Sequence, residues 1–472
     1  MVEEAADRQE SLGISKYRDK IVEGPIFRTI FWLGTPPLVN QLVLVAYHVA
    51  DAYWLSSYSE IAVAVPRQVW PIIMLFQSLI NALTTASLSL ISQYIGGKAY
   101  KKASLSASRF FTLACLSGGI LSIMLLAFKH TIFTFMVSTP SEIFSYVIDY
   151  STVIAFDVFF NYISLTYTTL LQSVGDTRRP AIVNMISVSV NIALDPFFVL
   201  GIGPFPRLGV AGAALTDVIG KIISIIALNF VLRKNYPELK MKFTGHVDAE
   251  WMRLVLQIGL PILTLGLMNG FAFLMQLKLV NTVGVVAATA FSIGFVIIDS
   301  VDAALWGLSG APAIMIGQSL GAGKLKRARE VALKATLLIF VLVAAGAVLI
   351  YPVRRSIADV FADDINILGE TDVFLQILLP TLPFFGLFAV TMSVGRGSGH
   401  TLFPTTLGML RLWVFRIALG YILVYMFGMG SIGIWTAIAV SNLIGGIIAI
   451  LWIKYGNWTR AITKETFSQD IQ

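Results

Sequence analysis

The sequence predicts an all-α integral membrane protein, with twelve transmembrane helices in two six-helix pseudo-symmetric lobes. Three observations carry the prediction. The 472 residues are 56% hydrophobic and only 13% charged, where a soluble globular chain carries about 25% charged residues. Apolar runs near or above the roughly 20 residues that cross a bilayer recur from end to end. The chain also repeats itself at a near-constant offset of 225 residues.

Residues 1–24 are polar and mixed in charge. They lack the apolar core of a signal peptide and read as a cytoplasmic N-terminal tail with a short surface helix. Twelve apolar segments follow, at 27–55, 62–94, 104–128, 144–173, 180–201, 209–232, 251–281, 286–318, 328–351, 371–395, 404–427 and 431–454. Several exceed the bilayer minimum, which tilt or projection accommodates. The first lobe is placed at 25–245, the second at 246–458 and a C-terminal cytoplasmic tail at 459–472.

The formal charge is +7 and the pI about 9.3. The bases cluster between apolar runs, so membrane topology explains them better than nucleic acid does. Lys98, Lys101 and Lys102 follow the second segment, Arg178 and Arg179 the fourth, and Lys324, Lys326, Arg327 and Arg329 the eighth. Arg233, Lys234, Lys240, Lys242 and Arg253 surround the link between the halves, and Arg396 follows the tenth segment. The opposite loops are short and poor in bases, apart from Arg207 and a longer 352–370 segment with Arg354, Arg355, Asp359, Asp363, Asp364 and Glu370. The positive-inside rule then puts both termini in the cytoplasm.

The repeat defines the halves. GTPPL at Gly34 matches GLPIL at Gly259, and SQYIGGKAYKKA at Ser92 matches GQSLGAGKLKRA at Gly317, both at an offset of 225. GDTRRP at Gly175 matches GHTLFP at Gly399 at 224, and NIALDPFFV at Asn191 matches RIALGYILV at Arg416 at 225. Six spans per half is an even number, so the halves are parallel repeats. Transporters commonly place substrate and ion sites where such repeats meet. Asn191 corresponds to Arg416, Asp195 to Gly420 and Asp51 to Gln276. The acids therefore belong to the first half alone.

An ionisable residue at the centre of a membrane helix costs about 2.5–3.5 kcal/mol on insertion scales, which makes each one a functional candidate. Asp195 lies well inside the fifth segment, and Pro196 after it frees a carbonyl on the preceding turn. Oxygens of that kind beside a carboxylate suit a cation or a protonation switch. Asn191 sits one turn earlier on the same face. Thr216 offers a hydroxyl oxygen to the same site, after GVAGAAL, whose small residues permit close helix approach. Asp217 and Lys221 are read as an intrahelical i, i+4 pair.

Asp51 lies near the end of the first segment, with His48 three residues earlier. A hydrogen-bonded histidine is the plainer reading of His48, and pKa tuning or proton relay the sharper one. Asp157, Asp299 and Asp302 are secondary candidates, and Lys278, Arg411 and Arg416 are bases placed to pair with acids. Pro36 and Pro37, with Pro261 in the second half, should kink the first helix of each half, and a kink can act as a hinge.

Enzyme signatures are absent. GQSLGAGK has the wrong glycine spacing for a phosphate loop, and Leu325 replaces its Ser/Thr. Cys115 is the only cysteine, which excludes an internal disulfide and a multi-cysteine metal site. His48, His130, His246 and His400 lack metal-ligand spacing.

The proline and aspartate of the first span (AYHVADAYW), NIALDPFFVLGIGP and LGVAGAALT, with the glycine-basic loops, together resemble the multidrug and toxic compound extrusion (MATE) family over roughly 25–458. The DinF-like branch of the MOP superfamily is the nearest in pattern, because the acids lie in the first lobe. The resemblance implies a V-shaped pair of lobes that export organic cations and amphiphilic drugs in exchange for H+ or Na+, without a cofactor. It implies a coupling site at Asp51, Asn191, Asp195 and Thr216, able to take H+ or Na+, and a hinge at Pro36 and Pro37. A monomer in the plasma membrane, touching lipids and small amphiphiles, is the expectation. Two departures stand out: Gln276 and Lys278 occupy the seventh span where other branches carry a carboxylate, and Arg416 is an unusual intramembrane base. These bases keep open an alternative, a flippase of lipids or lipid-linked oligosaccharides from the same superfamily.

Overall fold

The computed structural model describes residues 12–59, 61–137, 139–359 and 364–463. No strand occurs among them. A short helix, α1 (Leu12–Glu23), precedes twelve long ones. In the first half these are α2 (Ile26–Tyr58), α3 (Val65–Gly96), α4 (Tyr100–Met136), α5 (Ser141–Val174), α6 (Arg178–Leu200) and α7 (Val210–Asn235). In the second half they are α8 (Ala249–Val283), α9 (Val285–Gly321), α10 (Leu325–Asp359), α11 (Ile365–Ser398), α12 (Leu402–Tyr425) and α13 (Gly430–Tyr455). Eleven of the twelve are long and apolar enough to cross a membrane, and α9, at 37 residues, contains the apolar stretch Val285–Phe295. At about 1.5 Å per residue, even the 23 residues of α6 span the roughly 30 Å hydrocarbon layer. Large apolar side chains such as Ile123, Phe128, Val348 and Leu349 face outward, as they must where lipid is the solvent.

Within the first half, α5 packs on α3, α4 and α7, and α6 packs on α2 and α7. Within the second half, α11 packs on α9, α10 and α13, and α8 packs on α12. The halves meet where α2 packs on α9 and α3 packs on α8 and α9. The seam is symmetric in chemistry as well as shape. Gln93 Nε2 donates to the carbonyls of Gly397 (3.4 Å) and Ser398 (3.1 Å), at the end of α11. Its repeat mate Gln318 donates to those of Ser173 (2.9 Å) and Val174 (3.1 Å), at the end of α5. Each glutamine thus satisfies carbonyls that a helix end leaves without a partner. Both are fully buried. Gly96 and Gly321 let the crossing backbones touch: a Cβ on either would collide with Gln318 or Gln93.

Three connections differ from the sequence reading. The N-terminal tail forms α1, but Ile14 and Ile21 are fully buried against protein rather than lying free on a surface. Arg18 Nε donates to Gly96 O (2.9 Å) and Arg327 Nη2 to Ile21 O (2.8 Å), so α1 straps both halves. The 352–370 segment is mostly helix, because α10 continues to Asp359 and Asp364 caps α11 through Asn366 N (2.7 Å). Its charges pair locally: Arg354 meets Asp372 at 2.9 Å, and Glu370 accepts from Trp435 Nε1 at 2.7 Å. Asp363 lies outside the described residues. The tail after Gly456 turns back, and Gln93 Oε1 accepts from Ile462 N (3.1 Å).

The link between the halves lies along α4. Ser108 Oγ donates to Lys240 O (2.8 Å), Thr244 N donates to Thr112 Oγ1 (3.0 Å), and Arg109 Nε donates to His246 O (2.8 Å). Side chains of α4 satisfy a backbone that has no sheet or helix of its own.

Candidate functional site

Pro196 does not break α6, which runs on to Leu200. It has no N–H, so the carbonyl of Ile192 loses its helical donor. That carbonyl falls in the turn between Asn191 and Asp195, which are 4% and 0% exposed. Gly212 and Gly220 bring α7 against the α6 backbone, with Phe198 and Ser187 as the atoms a Cβ would meet. This close approach places Thr216 and Asp217 of α7 opposite the two α6 residues.

The partners are crossed. Thr216 Oγ1 lies 2.6 Å from Asp195 Oδ1 and 2.7 Å from Ala213 O. Asp217 Oδ1 accepts from Asn191 Nδ2 and from Tyr47 OH, each at 2.8 Å. Asp217 is therefore a member of the polar cluster. Its expected pairing with Lys221 is not a direct bridge among the described residues, although the Lys221 charge still acts on the carboxylate. Asp195 Oδ2, Asn191 Oδ1 and Asp157 Oδ1 are buried with no hydrogen-bond partner among the described residues. Buried acceptors without donors are costly.

Asp51, half-buried on α2, is near enough for its charge to act on Asp195 and Asp217. It accepts no hydrogen bond among the described residues. Asp157 of α5 interacts with Asp217 and with Lys221. The buried Tyr150 ring sits among the same acids. His48 is exposed, its ring 5.0 Å from that of Tyr47, and no hydrogen bond ties it to Asp51. Asp299 and Asp302 lie on α9, but their side chains are outside the described residues. Pro36 and Pro37 lie within an unbroken α2.

Two residues escaped the sequence reading. Tyr47 precedes Asp51 by one helical turn and had a spacing signal. Tyr150 had none, because only the packing of α5 brings it in. Among the described residues no three His, Cys, Asp or Glu side chains converge as metal ligands. A cation here would draw on Asn191, Thr216 and carbonyl oxygens as well as carboxylates, a donor set suited to a hard ion.

The second lobe answers differently. Arg416 Nε donates to Gln276 Oε1 at 2.8 Å, and its guanidinium lies 5.5 Å from the Phe295 ring. Arg411 Nη1 donates to Asn442 Oδ1 (3.1 Å) beneath the rings of Phe385 and Phe388. Lys278 is exposed on α8.

Two parallel six-helix repeats, with under-bonded carboxylates buried in one of them, define a polytopic membrane transporter. Comparison with known proteins agrees. The MatE family model matches residues 36–197 and 261–422, two blocks related by the same 225-residue offset as the repeat, and the chain belongs to that family. It is a transport protein, not an enzyme. It is 26% identical over 402 residues to the probable multidrug resistance protein YoeA of Bacillus subtilis, covering 83% of this chain and 87% of that one. It is 23% identical over 447 residues to the probable multidrug resistance protein NorM of Thermotoga maritima, covering 93% and 95%. Its fold matches that of a mutant of the Vibrio cholerae MATE transporter VcmN with a TM-score of 0.85 at 18% identity, covering 95% and 99% of the chains.

Proposed function

We propose that the protein is a secondary active antiporter. It exports organic cations and amphiphilic drugs in exchange for H+ or Na+ by alternating access. It resides in the plasma membrane with both termini in the cytoplasm, as the basic loops direct. The coupling site comprises Asp51, Asn191, Asp195 and Thr216, with Asp217 accepting from both Asn191 and Tyr47.

One observation carries this reading: Asp195 is fully buried with Oδ2 unpartnered, while Oδ1 shares the Thr216 hydroxyl with Ala213 O. A hydroxyl has one proton to donate. When Asp195 is ionised, Thr216 donates to it. When Asp195 is protonated, it can donate to Thr216, and Thr216 then donates to Ala213 O. The same geometry accepts both states, as a switch requires. A Na+ ion between Asp195, Asn191 Oδ1 and the freed Ile192 carbonyl would satisfy the same orphans. Either event cancels negative charge in the first lobe and weakens its hold on a cationic substrate. The ion drives the cycle only by its differential affinity for the two states.

The test is efflux of a cationic dye from reconstituted vesicles, under a pH gradient or a Na+ gradient imposed separately. Efflux driven by one gradient and lost in Asp195→Asn supports the reading and names the ion. Absence of efflux under both gradients, with the mutant behaving as wild type, overturns it. Arg416, an intramembrane base of the second lobe, favours lipid flipping as the second reading. Headgroup-dependent scrambling in the same vesicles would select it.

A further inference from the structure

The repeat places Arg416 where the first lobe has Asn191, and Gln276 where it has Asp51. These two second-lobe residues bond to each other at 2.8 Å. They form a counterpart of the coupling site with its charge reversed. Gln276 is 2% exposed, and because its Oε1 accepts from Arg416, its Nε2 is a buried donor with no partner among the described residues. The guanidinium uses only Nε, and both Nη groups lack a hydrogen-bond partner among the described residues. No carboxylate pairs with Arg416 there either. Phe295 backs the guanidinium from α9.

The backbone is adapted at this point as well. Residues Trp413–Ala418 form a π-turn, while the matching stretch of α6 is plain α-helix. The repeat offset rises from 224 at Gly399 to 225 at Arg416, so the second half contains one extra residue just before the base. A π-turn absorbs such a residue, and single π-turns concentrate at functional sites.

We propose that Arg416 and Gln276 form a binding site for an oxyanion, a carboxylate or phosphate, carried by an amphiphilic solute. Among the described residues the groups left free at the site are donors, from a planar guanidinium and an amide. That set recognises a two-oxygen anionic group. A buried donor without a partner, as Gln276 Nε2 is, is costly, and an anion beside the guanidinium would satisfy it. The inference rests on the transporter reading and deepens it: substrates include zwitterions that present a positive group to the first lobe and a negative group to the second.

The test uses the full chain in phosphatidylcholine nanodiscs and two matched probes, tetramethylrhodamine with its free carboxylate and its methyl ester. Binding is read by fluorescence anisotropy. Wild type should prefer the acid, and Arg416→Gln should weaken acid binding by about tenfold or more, the scale of a lost charge-assisted hydrogen bond, with the ester unchanged. Gln276→Leu removes the amide donor at similar volume and should act in the same direction, while Arg416→Lys should restore part of the preference. An acid-to-ester ratio unaltered by all three variants overturns the site. So does equal loss of both probes in a variant that still unfolds at the wild-type temperature. Displacement of the acid by added phosphatidylglycerol assigns the oxyanion to a lipid headgroup, and no displacement assigns it to the solute; both support the site. Ester efflux that depends on Asp195, together with an acid that ignores Arg416, sinks this inference and leaves the transporter reading standing. If neither probe binds wild type, both readings fail.

Discussion

At the residue scale, the proposed coupling site is built from helix faces that supply too few donors. Asp217 receives two hydrogen bonds on one oxygen, from Asn191 and Tyr47, while Asp195 receives a shared one. Tyr47 thereby fixes Asn191 indirectly, by holding the carboxylate that Asn191 donates to. Tyr47→Phe removes one donor from Asp217 without changing the ring. The expected outcome is a loss of about 1–3 kcal/mol in stability, measured as an earlier tryptophan-fluorescence unfolding transition in detergent. Gradient-driven efflux should slow as well, because Asn191 loses its fixed partner. A variant with unchanged unfolding and efflux would make the Tyr47 contact dispensable.

At the element scale, the start of α8 depends on one exposed carboxylate. Asp248 caps the helix by accepting from Trp251 N at 2.8 Å, and it meets Arg109 of α4 at 2.6 Å. The Trp251 amide first, and then the Arg109 charge, hold the Asp248 carboxyl below its ordinary range. A carboxyl depressed by folding stabilises the fold above its unfolded pKa, and that contribution is lost as pH falls through the folded value. Asp248 is half-exposed, so screening keeps the ion-pair share small. Asp248→Ala should cost about 0.5–2 kcal/mol, the usual value of an N-cap, and the gap to wild type should close as the pH of a thermal-unfolding series drops below the ordinary carboxylate range. A gap that stays constant with pH would assign the effect to packing. The prolines behave differently from this cap: Pro36 and Pro37 lie inside an unbroken α2, as membrane helices packed against neighbours tolerate.

At the scale of the whole molecule, the two halves are joined by a symmetric polar lock on the face that carries the described chain ends. Gln93 and Gln318 each reach across the seam, and α1 and residues 456–463 close over it. Because the glutamine amides are fully buried, removing one exposes two helix-end carbonyls to an apolar seam. Gln318→Leu should destabilise the joined halves by about 1–3 kcal/mol, and crosslinking between cysteines placed across the seam should become less efficient. Unchanged crosslinking would mean that the glycine contacts alone hold the halves.

The sequence by itself determined the membrane class, the span positions, the duplication and the acid-bearing half. Those properties depend on composition, local periodicity and self-similarity, which a single chain displays. Asn191, Asp195 and Thr216 were legible because a polar residue in an apolar run is conspicuous. Tertiary structure alone decided who bonds to whom. Asp217 was read as the partner of Lys221 four residues on, and the approach of α6 and of α2 adds hydrogen bonds from Asn191 and Tyr47 to it. His48 shared a sequence register with Asp51, but it is exposed and no hydrogen bond ties it to Asp51. Arg416 looked like a base in search of an acid, and its partner among the described residues is the amide of Gln276. Pairing within a helix follows from spacing, whereas pairing between helices follows from crossing geometry, which side chains across the whole lobe set together.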